Sequence, residues 1–259
     1  MKRPLRAAIM QPYFLPYIGY WQLLHAVDVF VVYDDIQYTK KGWINRNRML
    51  SEGKDVVFSL PLAKDSDFLD IRDRRLAPNF EIEREKLLRR FEASYRRAPY
   101  FQEGMALLRD CLSHADSNAF RFLHHSILSV AGYLDISTPI VVSSTLGIDR
   151  ALRSQDRVIA TCLALGAGEY INPIGGTTLY DPTVFLSHGI TLRFQKVLPY
   201  EYEQVSRTGF VPHLSILDWI MHLPSEKIRE HLPKMELTRS VESAAEAERW
   251  QHGGSSQQF

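Results

Sequence analysis

The chain has 259 residues, with 31 Lys and Arg against 30 Asp and Glu, and so a formal net charge of +1. That balance leaves no long-range field to gather nucleic acid or an acidic membrane surface, so an anionic ligand has to be held by a local cluster of bases. No apolar run reaches the length of a membrane span, and Pro12 and Pro16 break the apolar stretch behind the basic start, which argues against a signal peptide and for a cytoplasmic protein.

Leu5–Met10 is a short apolar run fit for a buried strand. Pro12 and Pro16 then impose a loop, because proline lacks a donor and holds the residue before it extended. Ile18, Trp21, Leu24 and His25 recur at helical spacing, so Ile18–Ala26 reads as a helix. Val29–Tyr33 reads as a second buried strand. Strand, loop, helix and strand make a βαβ unit and point to a parallel sheet. In such sheets ligands bind beyond the carboxyl ends of strands, where the unpaired N–H groups of helix starts favour phosphate or carboxylate. The loop "MQPYFLPYIGY" occupies that place. Gln11 and the phenols of Tyr13, Tyr17 and Tyr20 could add donors there, or the tyrosines could simply cover a core edge.

"YDDIQYTKKGWINRNRM" follows the second strand and falls on the same edge. Asp34 and Asp35 end an apolar run, and a carboxylate turned inward needs a partner. Lys40, Lys41, Arg46 and Arg48 are candidates for that partner or for an anionic ligand, Arg through two parallel hydrogen bonds and Lys as a mobile point charge. Gln37, Tyr38, Asn45 and Asn47 add hydrogen bonding, and Trp43 a flat stacking surface. The plain alternative is a solvated loop whose salt bridges contribute little. Two adjacent acids could also bind magnesium, although that spacing is a thin signature.

Val56–Leu60 is a third strand candidate and Leu69–Leu76 a fourth, more exposed one. Between 79 and 134 the pattern turns helical, as an insert in the α/β plan. "NFEIEREKLLRRFEASY" has Asn79 at a capping position and acids in its first turn, and two further helices run over Tyr100–Leu112 and Ser117–Leu134. His124 and His125 are adjacent, so they face different ways on their helix and read as surface residues rather than metal ligands. Pro139–Ser143 returns to strand character. In "SSTLG", Ser143 and Ser144 could hold phosphate, although capping the next helix is the commoner use of such hydroxyls. Gln155–Leu165 is a helix ending at Gly166. "YINPIGGTTLYD" then places Asn172, Gly175, Gly176 and Thr177 after a short strand. Its double glycine lets a ligand approach the backbone, or serves as a turn, and it matches neither the Walker loop nor the dinucleotide fingerprint. A helix over Asp181–His188, a strand over Ile190–Lys196 and an amphipathic helix over Leu214–Leu223 follow. Cys111 and Cys162 sit in apolar helical patterns and read as core. The whole reads as one α/β domain over residues 1–245 with a Rossmann-like parallel sheet and a flexible tail over 246–259.

The segments "MQPYFLPYIGYWQLL" and "DVFVVYDDIQYTKKGWINRNR" resemble the opening of the WbqC-like protein family. "YRRAPYF", "SSTLG", "DRVIATCLALGAGEYINPIGGTTLYD" and "FVPHLSILDWIMH" extend the resemblance from about Ala7 to His222. It implies a place in bacterial surface-polysaccharide (O-antigen, lipopolysaccharide) biosynthesis and glycyl or acyl modification of a nucleotide-linked amino sugar. The opening also has the layout of the nucleotidyltransferases with a His-x-Gly-His signature, such as pantothenate synthetase. Here the tetrapeptide is Tyr17-Ile18-Gly19-Tyr20: Gly19 is kept, and tyrosines that stay protonated at neutral pH replace both histidines.

Amide formation of this kind needs an activated acyl donor, which ATP, a thioester or an aminoacyl-tRNA could supply; the near-neutral charge argues against nucleic acid, aminoacyl-tRNA included, without removing it. Asp34, Asp35 and Tyr20 are the candidates for freeing the attacking amine. Lys41, Arg46 and Arg48 would face the diphosphate, and Trp43 or Tyr13 would stack on the base or sugar. No resident metal is required. The alternative is a non-catalytic module that binds sugar nucleotides or partner proteins of the same pathway.

Overall fold

In the computed structural model, which describes residues 3–206 and 209–239, the elements follow the chain as β1 (Leu5–Met10), α1 (Ile18–Ala26), β2 (Val29–Val32), β3 (Arg46–Ser51) and β4 (Lys54–Ser59). Then come α2 (Phe80–Tyr95), α3 (Phe101–Leu112), α4 (Ala119–Tyr133), β5 (Ile140–Val142), α5 (Ser154–Leu165), β6 (Ala167–Pro173), α6 (Pro182–Ser187) and β7 (Thr191–Val197). The chain closes with α7 (Ile216–His222), α8 (Ser225–His231) and β8 (Met235–Thr238).

Six strands form one sheet in the order β5-β2-β1-β6-β7-β8, parallel except for β8. The strand order explains why β1 and β2 are apolar at nearly every position, since both faces are covered. Ala7, Ile9, Val29 and Val31 face a cluster with Val158, Ile159 and Cys162 of α5 and Phe185 of α6. Ala8, Met10, Phe30 and Val32 face a larger cluster that takes in Leu23 of α1, Phe91 of α2, Leu108 of α3, Phe122 and Ile127 of α4 and Leu217 of α7. The chain lays down β1, β2 and β5 outward in one direction and then returns to the other side of β1 with β6 and β7. The switch point, where ligands of open α/β sheets bind, therefore lies between the carboxyl ends of β1 and β6.

The α/β class and the core positions of Cys111 and Cys162 agree with the sequence. Several boundaries differ. The stretch read as a polar loop contains β3, which pairs with β4 as an antiparallel hairpin outside the main sheet. Residues 69–76 hold a 3-10 turn, Ile71–Asp73, flanked by single bridges at Gln37↔Asp70 and Leu62↔Leu76 rather than a strand. Asn79 stands before α2 but its side chain makes no capping bond, whereas Asn118 accepts the N–H of Arg121 (3.0 Å) and starts α4. α8 and β8 were not foreseen. Residues 246–259, read as a tail, lie outside the described residues. Among the described residues no helix is long and apolar enough to cross a membrane.

Candidate functional site

The loop after β1 is rigid because its carbonyls are spoken for. The N–H of Phe14 donates to Ile44 O (2.9 Å), Asn47 Nδ2 donates to Leu15 O (2.8 Å) and Phe14 O (3.2 Å), and Ser215 Oγ donates to Leu15 O (2.8 Å). Leu15 adopts a left-handed φ of +48° within this clamp. Asn47 is thus a structural clamp and not a ligand group. So is Asn45, which accepts from Tyr38 Oη (2.8 Å) and donates to Leu60 O (2.7 Å). Gln37 is tied to Asp67 O (2.8 Å).

The clamp leaves three polar side chains of this loop unused. Gln11 is 5% exposed and Tyr13 4%, yet neither the Gln11 amide nor the phenols of Tyr13 and Tyr17 hydrogen-bond to any described residue. Burial pushes the Tyr13 and Tyr17 phenols well up, so they are O–H donors at neutral pH. Tyr20 differs: its ring packs edge-on to Trp21 and Phe30, its hydroxyl donates to Gln11 O (3.3 Å), and burial pushes it up too. Kept protonated in this way, it offers no phenolate to act as a base at neutral pH. Gly19 is glycine for a local reason. A Cβ there would lie 2.4 Å from Tyr17 Oη, so the tyrosine of the same tetrapeptide covers the helix start that Gly19 was expected to open to a nucleotide.

The adjacent acids after β2 serve opposite sides of the sheet. Asp35 pairs with Arg157 of α5, Nη2 to Oδ2 at 2.5 Å, both side chains being buried. Arg157 also lies over the Tyr33 ring (5.6 Å) and donates to Asp35 O (3.2 Å). The expected partners Lys40, Lys41, Arg46 and Arg48 are not used. Asp34 accepts Ser143 Oγ (2.9 Å) and Ser144 N (2.9 Å) on Oδ1, and Ser144 Oγ (2.7 Å) on Oδ2. Ser143 also bonds to Asp35. Ser143 therefore bridges the two acids and Ser144 holds Asp34, and neither hydroxyl caps a helix. Because Arg157 already supplies the positive charge at Asp35, the pair is a poor fit for magnesium. Among the described residues no group of three or more His, Cys, Asp or Glu is arranged to hold a metal ion.

The bases gather instead on the β3 hairpin. Arg46 and Arg48 alternate along β3, so they share a face, and each guanidinium carbon lies 5.3 Å from the Trp43 ring centre. Arg46 bonds to the carbonyl of Lys41, and Arg48 to Asp55 (3.3 Å). The Nε atoms of both arginines are shielded and lack partners. Tyr17 meets His213 edge-on (6.2 Å) beside this cluster, and burial first, then the charge of Arg48, holds His213 below its ordinary value.

Near the end of β6, the buried Asn172 accepts from Tyr170 Oη (3.1 Å) and donates to Pro173 O (3.2 Å). A Cβ on Gly176 would lie 1.8 Å from Asn172 Nδ2, while one on Gly175 meets open space. The double glycine is therefore a packing requirement at Gly176. Thr177 closes the 3-10 turn through its N–H to Ile174 O (3.3 Å).

The sequence reading missed two shielded polar side chains. Arg157 sits on the buried face of α5 beside Val158, Thr161 and Cys162, and a lone Arg inside an apolar helical stripe was the signal for a buried ionic partner. His124, expected at the surface, is half-buried, and its Nε2 is shielded from solvent.

The "FVPHLSILDWIMH" segment is structural. Asp218 is fully buried and accepts from Tyr95 (2.9 Å), Tyr202 (2.6 Å) and Gln204 (2.7 Å). Tyr95 Oη in turn accepts the Leu50 N–H (2.8 Å), tying α7 to α2 and β3.

A model of the WbqC-like protein family matches residues 11–230. The uncharacterized protein Rv1507c of Mycobacterium tuberculosis (strain ATCC 25618 / H37Rv) is 27% identical over 223 residues, covering 85% of this chain and 95% of that protein.

Proposed function

The chain belongs to the WbqC-like protein family, and from that premise we propose that it joins an activated acyl or aminoacyl group, glycyl included, to the amine of a nucleotide-linked sugar in surface-polysaccharide (O-antigen) biosynthesis. The observation that carries the reading is that Gln11 and Tyr13, both nearly buried, and the partly buried Tyr17 make no side-chain hydrogen bond to a described residue in the clamped loop that follows β1. Buried polar groups are normally hydrogen-bonded, and those that are not mark places where a ligand completes the set. In this proposal Gln11, Tyr13 and Tyr17 bond to sugar hydroxyls, and Arg46, Arg48 and Lys41 neutralise the diphosphate. Asp34, with Ser144 at the surface, receives the proton of the attacking amine. The donor is a thioester, an acyl-adenylate made from ATP, or an aminoacyl-tRNA.

One observation favours a second reading, a binding module without turnover: all three expected bases, Asp34, Asp35 and Tyr20, are already hydrogen-bonded within the structure. Thermal-shift titration with UDP- and dTDP-amino sugars, followed by mass spectrometry of reactions given acyl-CoA, or glycine with ATP, separates the two. Binding should add about 2.7 kcal/mol of stability at a ligand concentration a hundred times the dissociation constant. Arg46→Ala should weaken that binding at least about tenfold while leaving the unliganded melting temperature unchanged. Binding without any amide product would select the module, and no binding at all would reject both.

A further inference from the structure

The amino end of the sheet carries charge on a face that is apolar farther along the strands. Side chains alternate along a strand, so Arg6 of β1 shares its face with Ala8 and Met10, Glu169 of β6 with Ile171, and Arg193 of β7 with Val197. All three charged residues therefore stand on the side of the larger cluster. Arg6 is the register partner of Glu169, and Arg193 lies two residues beyond Thr191, the β7 partner of Glu169. The Glu169 side chain is 12% exposed and each arginine 31%. Charges held so far out of water need partners of opposite sign.

Those partners are too few. Arg193 Nε lies 3.4 Å from Glu169 Oε2, and Arg6 Nε lies 3.8 Å from Asp28 Oδ2, but neither pair has hydrogen-bond geometry. Both Nε atoms are shielded from solvent and unmatched. Asp28 is already taken by Arg3, whose Nη1 and Nη2 donate to its two oxygens at 2.8 and 2.7 Å, and by the Arg6 N–H (2.8 Å). Among the described residues no hydrogen bond engages the guanidinium of Arg6 or of Arg193. Arg3, Arg6 and Arg193 thus face only Asp28 and Glu169, and one positive charge is left unmatched.

These groups meet in one place. Arg3, Arg6, Glu169 and Arg193 line, with Pro4 and Leu237, an open cleft of about 400 Å³. That volume falls within the range of small-molecule sites, roughly 300–1,000 Å³.

We infer that this cleft binds a phosphate group, as the free ion or as the monoester of a small polar molecule. Arg6 and Arg193 come from the two strands that flank β6, so their guanidinium groups border the cleft on opposite sides of Glu169. Each can grip an anion through two parallel hydrogen bonds. A phosphate has oxygens for both forks at once, whereas a carboxylate fills one. Glu169 accepts a hydroxyl of the ester, and Pro4 and Leu237 offer apolar walls to its carbon frame. Arg6 lies four residues, about 13 Å, along β1 from Met10, where the loop with Gln11 begins. The cleft is therefore a second site at the other end of the strand, and it does not depend on acyl transfer.

Titration of isotope-labelled wild-type protein with inorganic phosphate, chloride being exchanged to hold the ionic strength, tests this by NMR. The amides of Arg6, Glu169, Arg193 and Leu237 should shift and saturate. No saturable shift there by about 20 mM phosphate, or equal shifts from chloride alone, overturns the inference. Arg6→Gln and Arg193→Gln should each weaken binding about tenfold or more, with folding checked by melting curves, and Arg46→Ala should leave it unchanged. Glu169→Gln should tighten it about threefold by removing a repelling carboxylate, a gain that a purely structural ion pair does not give. Binding that survives both arginine substitutions, or that Arg46→Ala abolishes, overturns the inference as well. Tighter binding of glucose-1-phosphate than of inorganic phosphate identifies an ester as the ligand and the reverse identifies the free ion; both support the cleft.

Discussion

At the residue scale the site is set by which side chains are already engaged. Gly19 shows how a motif residue can be kept for a reason other than the expected one, since its missing Cβ makes room for Tyr17 and not for a ligand. Gly19→Ala should therefore destabilise by roughly 1–3 kcal/mol through crowding, and the loss should disappear in a Tyr17→Ala background; urea unfolding of the four proteins in the double-mutant cycle measures this coupling. Arg157 gives the opposite lesson. It neutralises Asp35 inside the structure, so Arg157→Met should cost roughly 3–5 kcal/mol by leaving a buried carboxylate alone, measured by chemical denaturation at pH 7. Sequence spacing offered four nearer bases for that carboxylate and none of them is the partner, because the pairing depends on α5 packing against the opposite face of the sheet from α4.

At the element scale the runs along β1, α1, β2, α5 and β7 were legible because apolar period and proline placement are local properties. β3 was not, since its alternation of Arg46, Asn47, Arg48 and Met49 buries Asn47 and Met49 while leaving the arginines half-exposed. An Asn on the inner face looks polar in sequence, and only the carbonyls of Phe14 and Leu15 make it an inner residue. Asn47→Ala should accordingly cost about 1–3 kcal/mol by orphaning the Phe14 carbonyl and leaving Leu15 O to Ser215 alone and should lower the protection of the 11–17 amides in hydrogen exchange. A variant with wild-type exchange there would remove the clamp from the explanation.

At the scale of the whole molecule three half-buried histidines, His124, His213 and His231, are all held below the ordinary value, in each case chiefly by burial. A histidine depressed in the folded state takes up its proton first in the unfolded chain. Their contribution to stability is therefore complete above about pH 6.5, the unfolded value, and is lost as the pH falls from there toward the folded values. Melting temperature should drop between pH 7.5 and 5.5, and His124→Gln should reduce that drop; an equal or larger drop in the variant would assign the acid sensitivity to other groups. The sequence by itself determined the parallel α/β class, the buried cysteines and the edge at which polar loops collect, because periodicity, βαβ order and proline are written locally. Only the tertiary structure decided the strand order and its switch point, and the union of Asp34 and Asp35 with Ser143, Ser144 and Arg157. These are contacts between elements more than a hundred residues apart. Their pairing is set by how helices cover the two faces of one sheet, which no local pattern encodes.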